Sequence, residues 1–95
     1  MFITLYSYRV RPGQLPAIRC LYKEWQQLLG SWNEASIELL SNNLDPTDLI
    51  LLARFQNEDT AWAAIESPAY RAWYAQLVRL AEVGPTVSHY RNVES

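Results

Sequence analysis

The chain has one cysteine, Cys20, in 95 residues. That excludes an internal disulfide framework and fits a reducing cytoplasm. No histidine or acidic residue is spaced with Cys20 for a thiolate nucleophile or a zinc site, so it reads as a small packing residue. Only three glycines are present, and none belongs to a phosphate-cradling loop. Basic residues number eight, spread along a chain of formal net charge −2. A nucleic-acid footprint needs clustered Lys and Arg, so no nucleic-acid partner is expected. Long apolar runs are missing too. Runs such as Leu49–Ala53 are far too short to span a bilayer, and no membrane association is expected. Met1-Phe2-Ile3 leads straight into an alternating segment, without the basic and apolar regions of a signal peptide.

What is present is apolar and aromatic. The chain is 49% hydrophobic, too apolar for intrinsic disorder, and holds four tryptophans and six tyrosines. Its length fits one domain, residues 1–95, with a modest core that buries roughly 60–65% of the unfolded surface. A homodimer that buries further apolar area makes physical sense for such a chain.

FITLYSYRV at Phe2–Val10 alternates and is rich in β-formers, and Pro12-Gly13 stops it. From Gln14 to Gly30 the period changes. Leu15, Ile18, Tyr22, Trp25, Leu29 and then Trp32 recur at helical spacing, with Pro16 in the first turn and Gly30 at the C-cap. Glu34–Asn43 and Asp48–Asn57 flank the turn signal Asp45-Pro46 and read as a hairpin. Leu49, Leu51, Ala53 and Phe55 occupy one face of the second strand, and Ile50 and Leu52 the other. A strand apolar on both faces is covered on both, and a second subunit is the obvious cover for one of them.

Glu58–Glu66 reads as a helix capped by Asn57, with Glu58-Asp59 as first-turn charge. Pro68 interrupts it, and Ser67-Pro68 reads as the cap and first position of a new helix, Ala69–Glu82. Tyr70, Trp73 and Leu77 form its stripe, with Tyr74 beside them. Gly84-Pro85 is expected to end the helix, and Thr86–Val93 to form the last strand. The order is that of a ferredoxin-like α+β fold, βαββαβ, with an antiparallel sheet and helices on one face.

Two segments, YRVRPGQLPAIRCLYKEW and LLARFQNEDTAWAAIESPAYRAW, resemble the antibiotic-biosynthesis-monooxygenase-like (ABM) domains of the dimeric α+β barrel superfamily. The resemblance covers nearly the whole chain. It implies a homodimeric barrel closed by paired sheets, with a small-molecule pocket between sheet and helices. It also implies a cofactor-independent monooxygenase that uses no metal and acts on a flat aromatic or quinol-type compound. Fold alone does not fix reaction, so a non-catalytic small-ligand-binding dimer stands as the alternative. Haem-degrading relatives carry an Asn, a Trp and an iron-ligating His at positions that match Tyr6, Phe55 and Trp73 here. All three depart, and an indole at position 73 supplies no proximal ligand.

His89, Tyr6 and Trp73 are the candidates for proton transfer and substrate orientation. An imidazole titrates near neutrality, and phenol and indole rings stack on and orient flat ligands. The bland readings are a strand histidine with a hydrogen-bonding role and a helix stripe of core aromatics. Arg9, Arg54 and Glu38 fall on otherwise apolar strands and read as an ion-pair set near a subunit interface, with Arg54 as an alternative contact for an acidic substrate.

Overall fold

Alternation produces a strand of the full expected length, β1 (Phe2–Val10). The computed structural model describes residues 1–30 and 35–93. In it Phe2, Thr4, Tyr6, Tyr8 and Val10 are buried, while the residues between them keep some exposure. Helix α1 (Leu15–Gly30) buries Ile18, Leu21, Trp25 and Leu29. The stripe is shifted slightly from the expected one. Leu21 is inside, whereas Tyr22 sits at the flank and donates its O–H to the Ile37 carbonyl at 3.3 Å. Trp32 and Glu34 lie outside the described residues. Cys20 is exposed, not packed. One residue before Leu21 is a rotation of about 100° around the helix, which carries the thiol to the outer surface.

The hairpin is β2 (Ser36–Ser41) and β3 (Asp48–Phe55), shorter than the expected segments. Its turn is built by Asp45, which accepts from the backbone N–H of Thr47 at 3.0 Å and from its hydroxyl at 2.6 Å. These bonds and the guanidinium of Arg9 hold the Asp45 carboxyl down at about 2. Helix α2 (Glu58–Ile65) starts at Asn57, whose side chain accepts from the Thr60 N–H. Ser67 then caps α3 (Pro68–Leu80), accepting from the Tyr70 N–H and donating to the Ala64 carbonyl at 2.7 Å. Chain reversal between the two helices is thus fixed by local chemistry, as Ser67-Pro68 implied.

The last strand, β4 (Ala81–Arg91), begins earlier than expected. Gly84-Pro85 does not end the helix; it lies inside the strand. The β1–β4 register shifts between Ser7 and Val10. There Gly84, at φ +84°, passes so close to β1 that an added Cβ would lie 2.8 Å from the Ser7 carbonyl oxygen. The pair marks an irregularity in an edge strand, where Gly supplies the backbone freedom and Pro needs no ladder donor.

The sheet order is β2-β3-β1-β4, all antiparallel. With helices on one face, this is the ferredoxin-like α+β arrangement. Register puts Thr4, Tyr6, Leu49, Leu51, Ala53 and His89 on the helix side. Ile3, Leu5, Leu40, Ile50, Leu52 and Tyr90 lie on the opposite side. There Leu40 and Tyr90 are 47% and 56% exposed, a high value for large apolar groups that share one surface. Arg54 pairs with Glu38 on that side. Arg9 does not join them; it pairs with Asp45 of the hairpin turn. No helix among the described residues is long and apolar enough to cross a membrane.

Candidate functional site

The three candidate residues do not form one cluster. Tyr6 points from β1 into the helix layer, where its O–H donates to the Tyr70 hydroxyl oxygen at 3.0 Å. Its ring meets Trp73 edge-on at 5.7 Å. Trp73 stacks on Trp25 at 4.9 Å and 22° and donates its N–H to the Leu21 carbonyl at 3.0 Å. Tyr70 and Tyr74 stack beside them at 5.8 Å. Tyr6, Trp25 and Trp73 are each 1% exposed. Burial, reinforced by Tyr70, pushes the Tyr6 phenol far above the ordinary tyrosine range, so it stays protonated. Among the described residues the Trp25 N–H has no acceptor. This is a sealed aromatic core, with side chains occupying the space between sheet and helices.

His89 sits elsewhere. It pairs across the strands with Thr4, and its Nδ1 lies 3.0 Å from Thr4 Oγ1. Tyr6 is two residues further along the same face of β1, about 7 Å away in backbone terms. The imidazole stacks on Phe2 at 5.7 Å and 25° and leans against Trp62 at 4.9 Å. Trp62 is 37% exposed and donates its N–H to Glu58 at 3.2 Å. Arg91 donates to the same carboxylate at 2.7 Å. Glu58 thereby ties the start of α2 to the end of β4. Phe2, Gln56, Asn57, Glu58 and Arg91 line an adjoining cleft of about 290 Å³.

This corner has the parts of a small-molecule site. An exposed imidazole has one nitrogen anchored. Two aromatic rings flank it, and an ion pair stands at the rim. A larger cleft of about 440 Å³ runs between α1 and α3 on the outer surface, past Cys20, Glu24 and Arg79. It holds no aromatic group that would recognise a flat ligand, whereas Phe2 borders the smaller cleft; His89 lines neither. Sequence reasoning missed Thr4, Phe2, Glu58 and Arg91 as members of the His89 corner. The Glu58–Trp62 contact follows helical i, i+4 spacing and had a readable signal. The Thr4–His89 pairing had none, because it depends on strand register.

No protein-family model and no curated protein matches the sequence. Solved structures do. Rv0793 from Mycobacterium tuberculosis superposes with a TM-score of 0.84 at 18% identity, covering 99% of this chain and 96% of that one. A crystal structure named antibiotic biosynthesis monooxygenase gives 0.81 at 12% identity, covering 98% and 99%. A variant of SnoaB, a cofactor-independent oxygenase from Streptomyces nogalater, gives 0.85 at 9% identity, covering 99% and 94%. Over nearly its whole length, then, the chain has the ferredoxin-like α+β fold of antibiotic biosynthesis monooxygenase structures.

Proposed function

We propose that the protein is a cofactor-independent, monooxygenase-like oxidoreductase acting on a flat aromatic or quinol-type small molecule, and that it works as a homodimer. The observation that carries this reading is the exposed His89 ring, held by Thr4 and flanked by Phe2 and Trp62. A flat ligand lies against the exposed edge of Trp62 and brings its oxygen to the open nitrogen of His89. His89 promotes loss of the acidic substrate proton. The resulting substrate anion, a phenolate or an enolate, reduces oxygen directly, so no metal or bound cofactor is needed. For an anthrone-type methylene, one oxygen atom is kept as a carbonyl and the other leaves as water. Fold likeness to a cofactor-independent oxygenase supports the reaction class.

The dimer is supported by the uncovered apolar side of the sheet, where Ile3, Leu5, Leu40, Ile50, Leu52 and Tyr90 gather. A cytoplasmic location suits the free, exposed Cys20 thiol. The second reading is a non-catalytic small-ligand-binding dimer. It is favoured by the sealing of Tyr6 and Trp73 inside the core, away from any ligand. Oxygen uptake with hydroquinones and anthrones separates the two. Turnover that disappears in His89→Ala supports the oxygenase. Ligand binding without turnover across such a panel supports the binding protein.

A further inference from the structure

The two nitrogens of His89 have different surroundings. Nδ1 faces Thr4 Oγ1 at 3.0 Å. Thr4 has no exposed surface, and among the described residues its hydroxyl has no other partner. A buried hydroxyl whose proton lacks an acceptor is destabilising. If Nδ1 carried the proton and donated it to Thr4, the hydroxyl proton would be orphaned beneath the helices. If Thr4 donates to Nδ1, both groups are satisfied. An accepting Nδ1 is unprotonated, and the neutral ring then carries its proton on Nε2. Nε2 has no partner among the described residues, and the ring is exposed. Stacking on Phe2 and contact with Trp62 hold the ring in this orientation.

We propose that Thr4 is a positioning residue that locks His89 in its Nε2–H tautomer, so that the exposed edge of the ring donates a hydrogen bond to an anionic ligand oxygen. The ligand class, a planar aromatic with a phenolate or enolate oxygen, rests on the functional reading above. His89 then promotes proton loss by stabilising the anion that forms, and the proton itself passes to water. Preorganised donors of this kind act where charge develops. The Glu58 carboxylate accepts from Trp62 and Arg91, and among the described residues it makes no hydrogen bond to His89.

The chain has one histidine, so the full-length ¹⁵N-labelled protein gives a single imidazole pattern in long-range ¹H–¹⁵N correlation spectra. At a pH well above the ordinary imidazole range, Nε2 is expected to be of the protonated type and Nδ1 of the unprotonated type. Thr4→Val is expected to release the ring to a mixture of tautomers, and Thr4→Ser to restore the wild-type pattern. Binding of 4-nitrophenolate, followed by its absorbance, is expected to weaken about tenfold in Thr4→Val and to stay within about twofold in Thr4→Ser. A wild-type ring protonated at Nδ1 overturns the proposal, as does a Thr4→Val protein with unchanged tautomer and affinity. Quinol turnover by a protein whose Nδ1 is protonated defeats this assignment alone. Absent turnover, with the tautomer and Thr4 effects as stated, defeats the oxygenase reading alone.

Discussion

The indole N–H of Trp73 donates to the main-chain carbonyl of Leu21 at 3.0 Å, so one hydrogen bond ties α3 to the middle of α1. The same ring stacks on Trp25 and takes the edge of Tyr6. Trp73→Phe removes the bond and leaves part of the stack unfilled. It is expected to cost about 2–3 kcal/mol, read from the urea midpoint at unchanged slope. A loss below about 0.5 kcal/mol would mean that the Trp73 ring does not tie α3 to α1.

Tyr6→Phe removes only the hydroxyl that donates to Tyr70. The expected cost is about 1 kcal/mol of stability. Quinol oxidation and ligand affinity are expected to stay within about twofold, because Tyr6 lies in the sealed core and not at the His89 corner. A tenfold loss of turnover in a folded Tyr6→Phe protein would put the phenol back in the site.

Alkaline stability follows from the same tyrosines. Burial pushes the Tyr8 phenol up to about 12, and burial raises Tyr70 and Tyr6 as well. Their folded values exceed the ordinary value of about 10, so the stabilisation they give is complete below that pH. It is lost as pH rises toward and through about 12 for Tyr8. Denaturant midpoints are therefore expected to hold near pH 9 and fall steadily above about pH 10. Phenolate absorbance should show Tyr8 titrating above the ordinary tyrosine range. Midpoints that stay flat through pH 12 would contradict this reading.

The uncovered side of the sheet makes a prediction about assembly. Leu52 lies at its centre, paired with Leu5 on one neighbour and Glu38 on the other. Sedimentation of the wild type at micromolar concentration is expected to give a dimer. Leu52→Lys puts a charge on that surface and is expected to give a folded monomer. A wild-type monomer under these conditions removes the barrel dimer from consideration.

The two positive-φ glycines differ in what surrounds them. An alanine Cβ at Gly13 meets nothing within 4 Å, whereas at Gly84 it meets the Ser7 carbonyl at 2.8 Å. Gly13→Ala is expected to cost about 1 kcal/mol from backbone strain alone. Gly84→Ala adds displacement of the β1–β4 ladder and is expected to cost at least about 2 kcal/mol, roughly 10 °C in Tm. Equal losses at the two sites would show that the close approach has no weight.

Features set by neighbouring residues were legible before the structure. The Asn57 cap, the Ser67-Pro68 restart and the Asp45 turn each depend on a few adjacent positions. Strand alternation likewise gave β1 its bounds. Features set by distant contacts were not. Tyr6 is sealed by Tyr70 and Trp73, more than sixty positions away, and nothing local distinguishes such a tyrosine from one lining a cavity. The Thr4–His89 pair depends on the register of β1 and β4, which the irregularity at Gly84 interrupts. Gly84-Pro85 misled because the dipeptide signals a chain break equally well at a helix end and in a kinked edge strand. Cys20 misled because one residue of helical rotation separates the buried face from solvent.

Trp25 and Trp73 lie nearly parallel, 4.9 Å apart, in surroundings that exclude water. Two identical chromophores in that geometry do not absorb independently. Their excited states mix, and the chiral offset between the rings produces paired circular-dichroism bands of opposite sign. The protein thus contains its own optical gauge of whether α1 and α3 are docked. That gauge reads the core without a label.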